Sequence, residues 1–422
     1  MIHFSHFIFT IYYYHLNATA SLKIPEFRNF VLARLFFMFA LQMQATIVAW
    51  QVYAQTHRKI DLGNIGLSEI ISFLLVAFFA GHLADVYNRK RLIQFSAILY
   101  LFCAAALYFL STSGTYLLAK WDALPFFVIV FITGIARGIL SPSQSALMAQ
   151  LVPKELYTNS STWNSIVWHL AMVLGPAVGG ILYGKTDAAT VYLCVIVFAS
   201  IGFVFYSLIP SQEKPVQKQG EPLVERLSAG LKYTFGQPIL LGAMAMDMFA
   251  VLFGGAVAML PVFADEVLHI GSEGLGYLRA APAVGSVLMS FVMTKYPPHH
   301  NAGKKLLLSV GLFGLATICF ALSTNFYLSF FLLFLTGVFD NVSVVLRSTI
   351  LQLYTPDEMR GRVSAISGIF IGSSNELGMY ESGLAAEYMG LEPSVIFGGA
   401  MTLLVVMITY KIAPTLRDLQ LK

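Results

Sequence analysis

Apolar stretches of membrane-spanning length alternate with short polar turns along nearly the whole chain. Twelve stand out, near 28–52, 64–84, 92–111, 124–150, 159–183, 190–209, 238–262, 275–295, 304–323, 326–352, 363–388 and 393–412. A helix crosses a hydrocarbon core with about 20 apolar residues, and a stretch such as FSAILYLFCAAALYFL at 95–110 lacks the in–out alternation of a barrel strand. The pattern predicts an all-α membrane protein with twelve transmembrane helices. One long polar break, 210–237, separates two groups of six. The expected organisation is an N-terminal extension over 1–22, a six-helix bundle over 23–209, a linker over 210–237, a second bundle over 238–414 and a tail over 415–422.

Composition excludes the soluble classes. Of 422 residues, 57% are hydrophobic and only 11% charged, where a soluble domain carries about 25% charged residues. The net charge of +4 matters less than its placement. With the N-terminus inside, the inner turns collect Lys23, Arg28, Arg89, Lys90, Arg91, Lys154, Lys214, Lys218, Arg226, Lys232, Lys295, Lys304, Lys305, Arg360, Arg362, Lys411, Arg417 and Lys422. The outer turns have only Arg58, Lys59, Lys120 and Lys185. Basic residues stay on the cytoplasmic side, so both termini are expected there. The apolar stretch within residues 1–22 ends in Ala18-Thr-Ala20, as a signal-peptide cleavage site does. They carry no Lys or Arg before the apolar stretch, so they read as an interfacial extension or a mis-assigned start instead.

The halves resemble each other. Leu151-Val-Pro-Lys-Glu-Leu156 follows the fourth span and Tyr354-Thr-Pro-Asp-Glu-Met359 follows the tenth, which sets Gly134 opposite Gly337. Gly66-Leu-Ser-Glu69 opens the second span as Gly276-Tyr-Leu-Arg279 opens the eighth. Duplicated six-helix halves are the build of many secondary transporters.

Between spans two and three runs GHLADVYNRKRLI, 81–93. Gly81, Asp85, Arg89 and Lys90 match the loop signature of the major facilitator superfamily, which this segment resembles. Val86 replaces a base and Asn88 a glycine. Asn tolerates the left-handed turn that glycine serves there, so this departure is mild. The resemblance implies that Asp85 pairs with Arg89 and faces a helix N-terminus of the other half, as part of a cytoplasmic gate. Further blocks, among them FRNFVLAR at 27–34, GGAVAMLP at 254–261, RAAPAVG at 279–285 and TPDEMRGRV at 355–363, resemble the enterobactin-exporter-like branch of bacterial inner-membrane exporters. Gly175-Pro-Ala-Val-Gly179-Gly180 is similar to the end of the superfamily's antiporter motif. Pro176 there removes a backbone hydrogen bond, and the glycines allow close packing around the kink.

Charges at membrane depth are costly unless paired or wetted. Arg137, Asp247 and Asp340 lie near the middle of spans four, seven and ten, which the resemblance places around a central cavity. Arg137 and Asp340 sit at matching depths and suit a pairing across it. These three and Glu376 in span eleven are the candidates for coupling transport to protons; a permanent structural ion pair is the competing reading. Arg34, Glu69 and Arg347 lie nearer span ends and are expected to snorkel or pair. Gln42, Gln44 and Thr46 put hydrogen-bonding groups into span one, to orient cargo or to bond neighbouring helices.

Cys103, Cys194 and Cys319 have neither metal nor disulfide spacing. The phosphate-loop pattern GGILYGKT at 179–186 ends a membrane helix on the outer side and lacks the strand–loop–helix context that binding needs. No metal, cofactor or nucleic-acid partner is expected. The expected partners are the bilayer, a small-molecule cargo and protons, and the resemblance implies a monomer. The sequence therefore reads as a secondary transporter, not an enzyme, exporting a small organic molecule by proton antiport. A proton-coupled importer of a nutrient and a non-transporting receptor or scaffold are the alternatives.

Overall fold

The structure, a computed structural model, describes residues 19–211, 223–296 and 300–421; side chains at 77, 78, 80–82, 84–86, 223–227, 357, 358 and 365 lie outside that description. Most of the expected 1–22 extension and residues 212–222 of the linker are therefore also outside it.

Twelve long helices are present among the described residues: α1 Pro25–Thr56, α2 Lys59–Val86, α3 Arg89–Thr112, α4 Leu124–Leu151, α5 Tyr157–Lys185, α6 Ala188–Leu208, α7 Pro238–Phe253, α8 Gly271–Lys295, α9 Ala302–Ala321, α10 Phe326–Leu353, α11 Asp357–Met389 and α12 Leu391–Ile412. Local chemistry sets many of the starts. Pro25 and Pro238 occupy the first helical positions, where a missing N–H costs nothing. Asn88, Asp187 and Asn325 accept backbone N–H groups at the starts of α3, α6 and α10. Beyond Phe253, the Gly254-Gly255 pair and Pro261 interrupt α7, and the chain continues through a 3-10 turn and a π turn to Val267.

Ten membrane helices among the described residues are long and apolar enough to span a bilayer by length and composition alone. α2 and α11 complete the twelve, and both lie on a seam between the halves. Elsewhere the outer surface is apolar, with Phe102, Phe291 and Tyr327 exposed, as expected where the solvent is lipid.

Within the first half α2 packs on α4, α1 on α5 and α6, and α3 on α4 and α6. In the second half α8 packs on α10, α9 on α10 and α12, and α7 on α11 and α12. The expected duplication is visible in contacts. Gly134 of α4 lies against Ser72 of α2, and Gly337 of α10 lies against Pro282 of α8. Those are equivalent positions in the two halves.

The halves meet along two seams, α2 with α11 and α5 with α8. One end of the bundle carries the turn at His57, the other the turn at Asn88. Helix Leu223–Gly236, from the linker, packs on α11, where Gly230 lies against the Arg362 backbone.

Candidate functional site

At 1.5 Å per residue, Glu69, Arg137 and Glu376 lie roughly 15–20 Å from the His57 end, and Arg279 about 12 Å from it. The four form one layer where the halves touch. Glu69 Oε1 accepts Arg137 Nη1 at 3.0 Å. Across the seam the Glu69 carboxyl comes close to that of Glu376. The Arg137 side chain is 46% exposed, against 16% for Glu69.

Arg279 reaches out of α8 to the first half, where its Nη1 donates to Thr46 Oγ1 of α1 at 3.3 Å. Its Nε is buried without a partner.

Glycines let the backbones come close enough for these contacts. A Cβ on Gly66 would stand 2.6 Å from the Glu376 carbonyl, and one on Gly276 would stand 2.7 Å from the Pro176 carbonyl. Gly63 meets Gly383 in the same way, and Gly180 meets Ser272 and Gly276.

Towards the His57 end the seam is pinned by charge. Glu387 accepts the N–H groups of Lys59 and Ile60 at the start of α2. Glu266 accepts the Tyr53 hydroxyl and pairs with Lys59 at 3.7 Å. All four contacts join one half to the other, so this structure is closed at the His57 end.

The family model of the Major Facilitator Superfamily matches residues 30–324 and 299–420. The chain belongs to the major facilitator superfamily. It is 26% identical over 361 residues to the enterobactin exporter EntS of Escherichia coli O1:K1 and to that of Shigella boydii serotype 18, covering 83% of each chain in both cases. Solved structures share the fold at lower identity. A POT family transporter in complex with 5-aminolevulinic acid has a TM-score of 0.75 at 10% identity, covering 92% of this chain and 96% of that one. A bacterial homologue of the human lysosomal transporter Spinster, inward-facing and unoccupied, has 0.69 at 14% identity, covering 93% and 98%. The chain is thus a multi-pass membrane transporter and not an enzyme, with the twelve-helix superfamily fold its sequence predicts.

The superfamily fold distributes the candidate residues differently from the sequence reading. Arg137 does not pair with Asp340: its partner is Glu69, because α4 packs on α2. Asp340 has no partner among the described residues. Asp247 pairs with Arg347 of α10, both side chains at most 8% exposed, in the interior of the second half. Gln44 is buried against Thr133 of α4 at 3.4 Å and faces the first half's interior, not the seam. Gln42 contacts Met172 of α5, and Thr46 receives Arg279. Gly175 packs on Gln42, while Gly179 lies beside Met43. Pro176 sits inside an unbroken α5.

In the loop motif, Gly81 and Asp85 fall on side chains outside the described set. Asn88 is not left-handed. Its φ is −63°, and it caps α3 by accepting the Arg91 N–H at 3.2 Å. Asparagine replaces glycine here because the position needs an acceptor rather than a positive φ. Arg89 donates to the Ala146 carbonyl of α4 at 3.0 Å and Lys90 to the Ser207 carbonyl of α6 at 2.8 Å. Together they tie three helix ends at the Asn88 end. The sequence reading passed over Glu69 and Arg279 as site residues. The signal lay in the Gly66 and Gly276 register, which sets these two charges at equivalent places.

Proposed function

We propose that this transporter exports a small organic molecule, siderophore-like or hydrophobic and drug-like, across a bacterial inner membrane in exchange for protons. The His57 end then faces the periplasm and the Asn88 end, with both termini, the cytoplasm, as the distribution of basic residues supports. The working unit is one chain.

The observation that carries the reading is the juxtaposition of the acids Glu69 and Glu376 across the seam beside Arg137, where two neighbouring carboxyls are suited to share a proton. With the periplasmic side open the two acids stand apart, and periplasmic water supplies a proton. Closure brings them together with that proton between them. Cargo entering from the cytoplasm disturbs the pair, and the proton leaves inward. Arg137 holds Glu69 in place throughout and offsets its charge. The similarity to enterobactin exporters supports the outward direction, and the apolar walls suit a bulky cargo.

Inside-out vesicles with a pH-sensitive dye test the reading. Enterobactin and a set of hydrophobic drugs are added to wild type and to Glu376→Gln. Collapse of the gradient on adding a compound, lost in the variant, is the expected result. Compound-dependent collapse that Glu376→Gln retains in full would sink the assignment of the proton to this pair.

A further inference from the structure

The two halves carry the same ion pair with its charges reversed. A shift of 210 positions takes Gly66, Glu69 and Ser72 of α2 onto Gly276, Arg279 and Pro282 of α8. A shift of 203 takes Gly134 and Arg137 of α4 onto Gly337 and Asp340 of α10. Contacts confirm the registers, since Gly134 meets Ser72 as Gly337 meets Pro282. Arg279 and Asp340 therefore stand to each other as Glu69 and Arg137 do, on neighbouring helices and one turn from the same crossing.

Only one of the pairs is made. Glu69 and Arg137 are bridged at 3.0 Å. Arg279 instead donates across the seam to Thr46, its Nε is buried and unpartnered, and Asp340 has no partner among the described residues. Glu69 is the acid within electrostatic reach of Arg279, but it is already bridged to Arg137, and the second seam adds none. Gly276 meets Pro176 where Gly66 meets Glu376, so a proline backbone stands in the place of the acid. Asp340 is the one acid among Arg279's equivalents.

The bond to Thr46 joins the halves on the side that is closed. Opening the His57 end must break it. A guanidinium freed at this depth needs an acceptor, since an unpaired charge within the membrane is costly.

We infer that Arg279 is a two-position switch: it bonds Thr46 across the seam while the His57 end is closed, and pairs with Asp340 when that end opens. The open state then holds two ion pairs of opposite polarity, one in each half, and Asp340 acts as the latch of the open state. The inference rests on alternating access alone. It needs neither the outward direction nor the proton pair proposed above.

Double electron–electron resonance tests it without cargo. Spin labels go at positions 186 and 388, the exposed ends of α5 and α11, in protein without its three cysteines, in nanodiscs. All variants carry Glu387→Gln, which weakens the closure of the His57 end. Asp340→Asn is expected to lower the fraction with the long distance, and Thr46→Val to raise it. Each shift should be about fivefold, the worth of one ordinary hydrogen bond. In an Arg279→Gln background neither change should have further effect, while Arg279→Lys should restore both. The inference is overturned if Asp340→Asn leaves the long-distance fraction unchanged or raises it. It is equally overturned if the two shifts persist without Arg279. Opposite shifts that depend on Arg279, in protein whose gradient assay fails, would support the switch and sink the antiport reading alone.

Discussion

The Glu387 carboxylate, two residues before the end of α11, accepts the backbone N–H of Lys59, the first residue of α2, at 3.1 Å. It also accepts the N–H of Ile60 at 3.2 Å. The start of a helix in one half is thus capped by an acid from the other. The cap satisfies two N–H groups that have no partner inside α2 and places negative charge at the positive end of its dipole.

Glu387→Gln keeps an acceptor and removes the charge, whereas Glu387→Ala removes both. An exposed cap is worth about 0.5–1 kcal/mol. Glu387→Ala should therefore shift the ratio of open to closed His57 end by about two- to fivefold, with Glu387→Gln between it and wild type. Labelling of a cysteine at position 56, behind the cap, reads the shift. Equal labelling in all three proteins would mean that the cap does not hold the closed state.

Glu69→Ala strips Arg137 of its acid at membrane depth. Losing one partner of a fully buried pair costs about 3–5 kcal/mol; the openness of Arg137 brings the expected cost nearer 2 kcal/mol. The single variant should melt lower in detergent than the double variant Glu69→Ala with Arg137→Ala. A double variant no more stable than Glu69→Ala would show that the bridge contributes little.

Asp247 and Arg347 form the more deeply buried pair, and their expected effect is on folding. Asp247→Ala should cost about 3–5 kcal/mol and lower the yield of folded protein, while replacing Asp247 with Leu and Arg347 with Met together should be closer to neutral. Thermal unfolding followed by fluorescence compares them. Full stability in Asp247→Ala would release Asp247 from this structural role.

Asn88 gives a sharp contrast between two small substitutions. A cap predicts that Asn88→Ala costs about 1 kcal/mol and Asn88→Gly only a few tenths. A left-handed turn predicts that Asn88→Gly stabilises. The melting temperatures of the two proteins decide between them.

Gly180→Val places a branched side chain against the backbones of Ser272 and Gly276, which cannot retreat without moving α8. Overpacking of this kind costs about 1–3 kcal/mol and falls on the closed seam alone. The variant should favour the open His57 end in the same spin-label measurement. An unchanged distance distribution would mean that α5 and α8 do not need this approach.

The sequence by itself determined the class, the twelve spans, the duplication and the family. Each of these rests on something local or repetitive: apolar length set by the thickness of the bilayer, and blocks such as 81–93 whose residues are contiguous. It also marked the costly residues Arg137, Asp247, Asp340 and Glu376, because a charge inside an apolar run is visible without any partner. Only the tertiary structure decided who pairs with whom. Arg137 has Glu69 and Asp340 at comparable depth, and depth alone cannot choose between them; the packing of α4 on α2 does. Glu69 looked like a span-end charge because α2 starts earlier than its apolar run, at Lys59. Asn88 likewise looked like a substitute for glycine until its backbone angle was in hand. Pairing at this depth depends on distances of a few ångström between helices far apart in sequence, and a linear pattern carries no such distance.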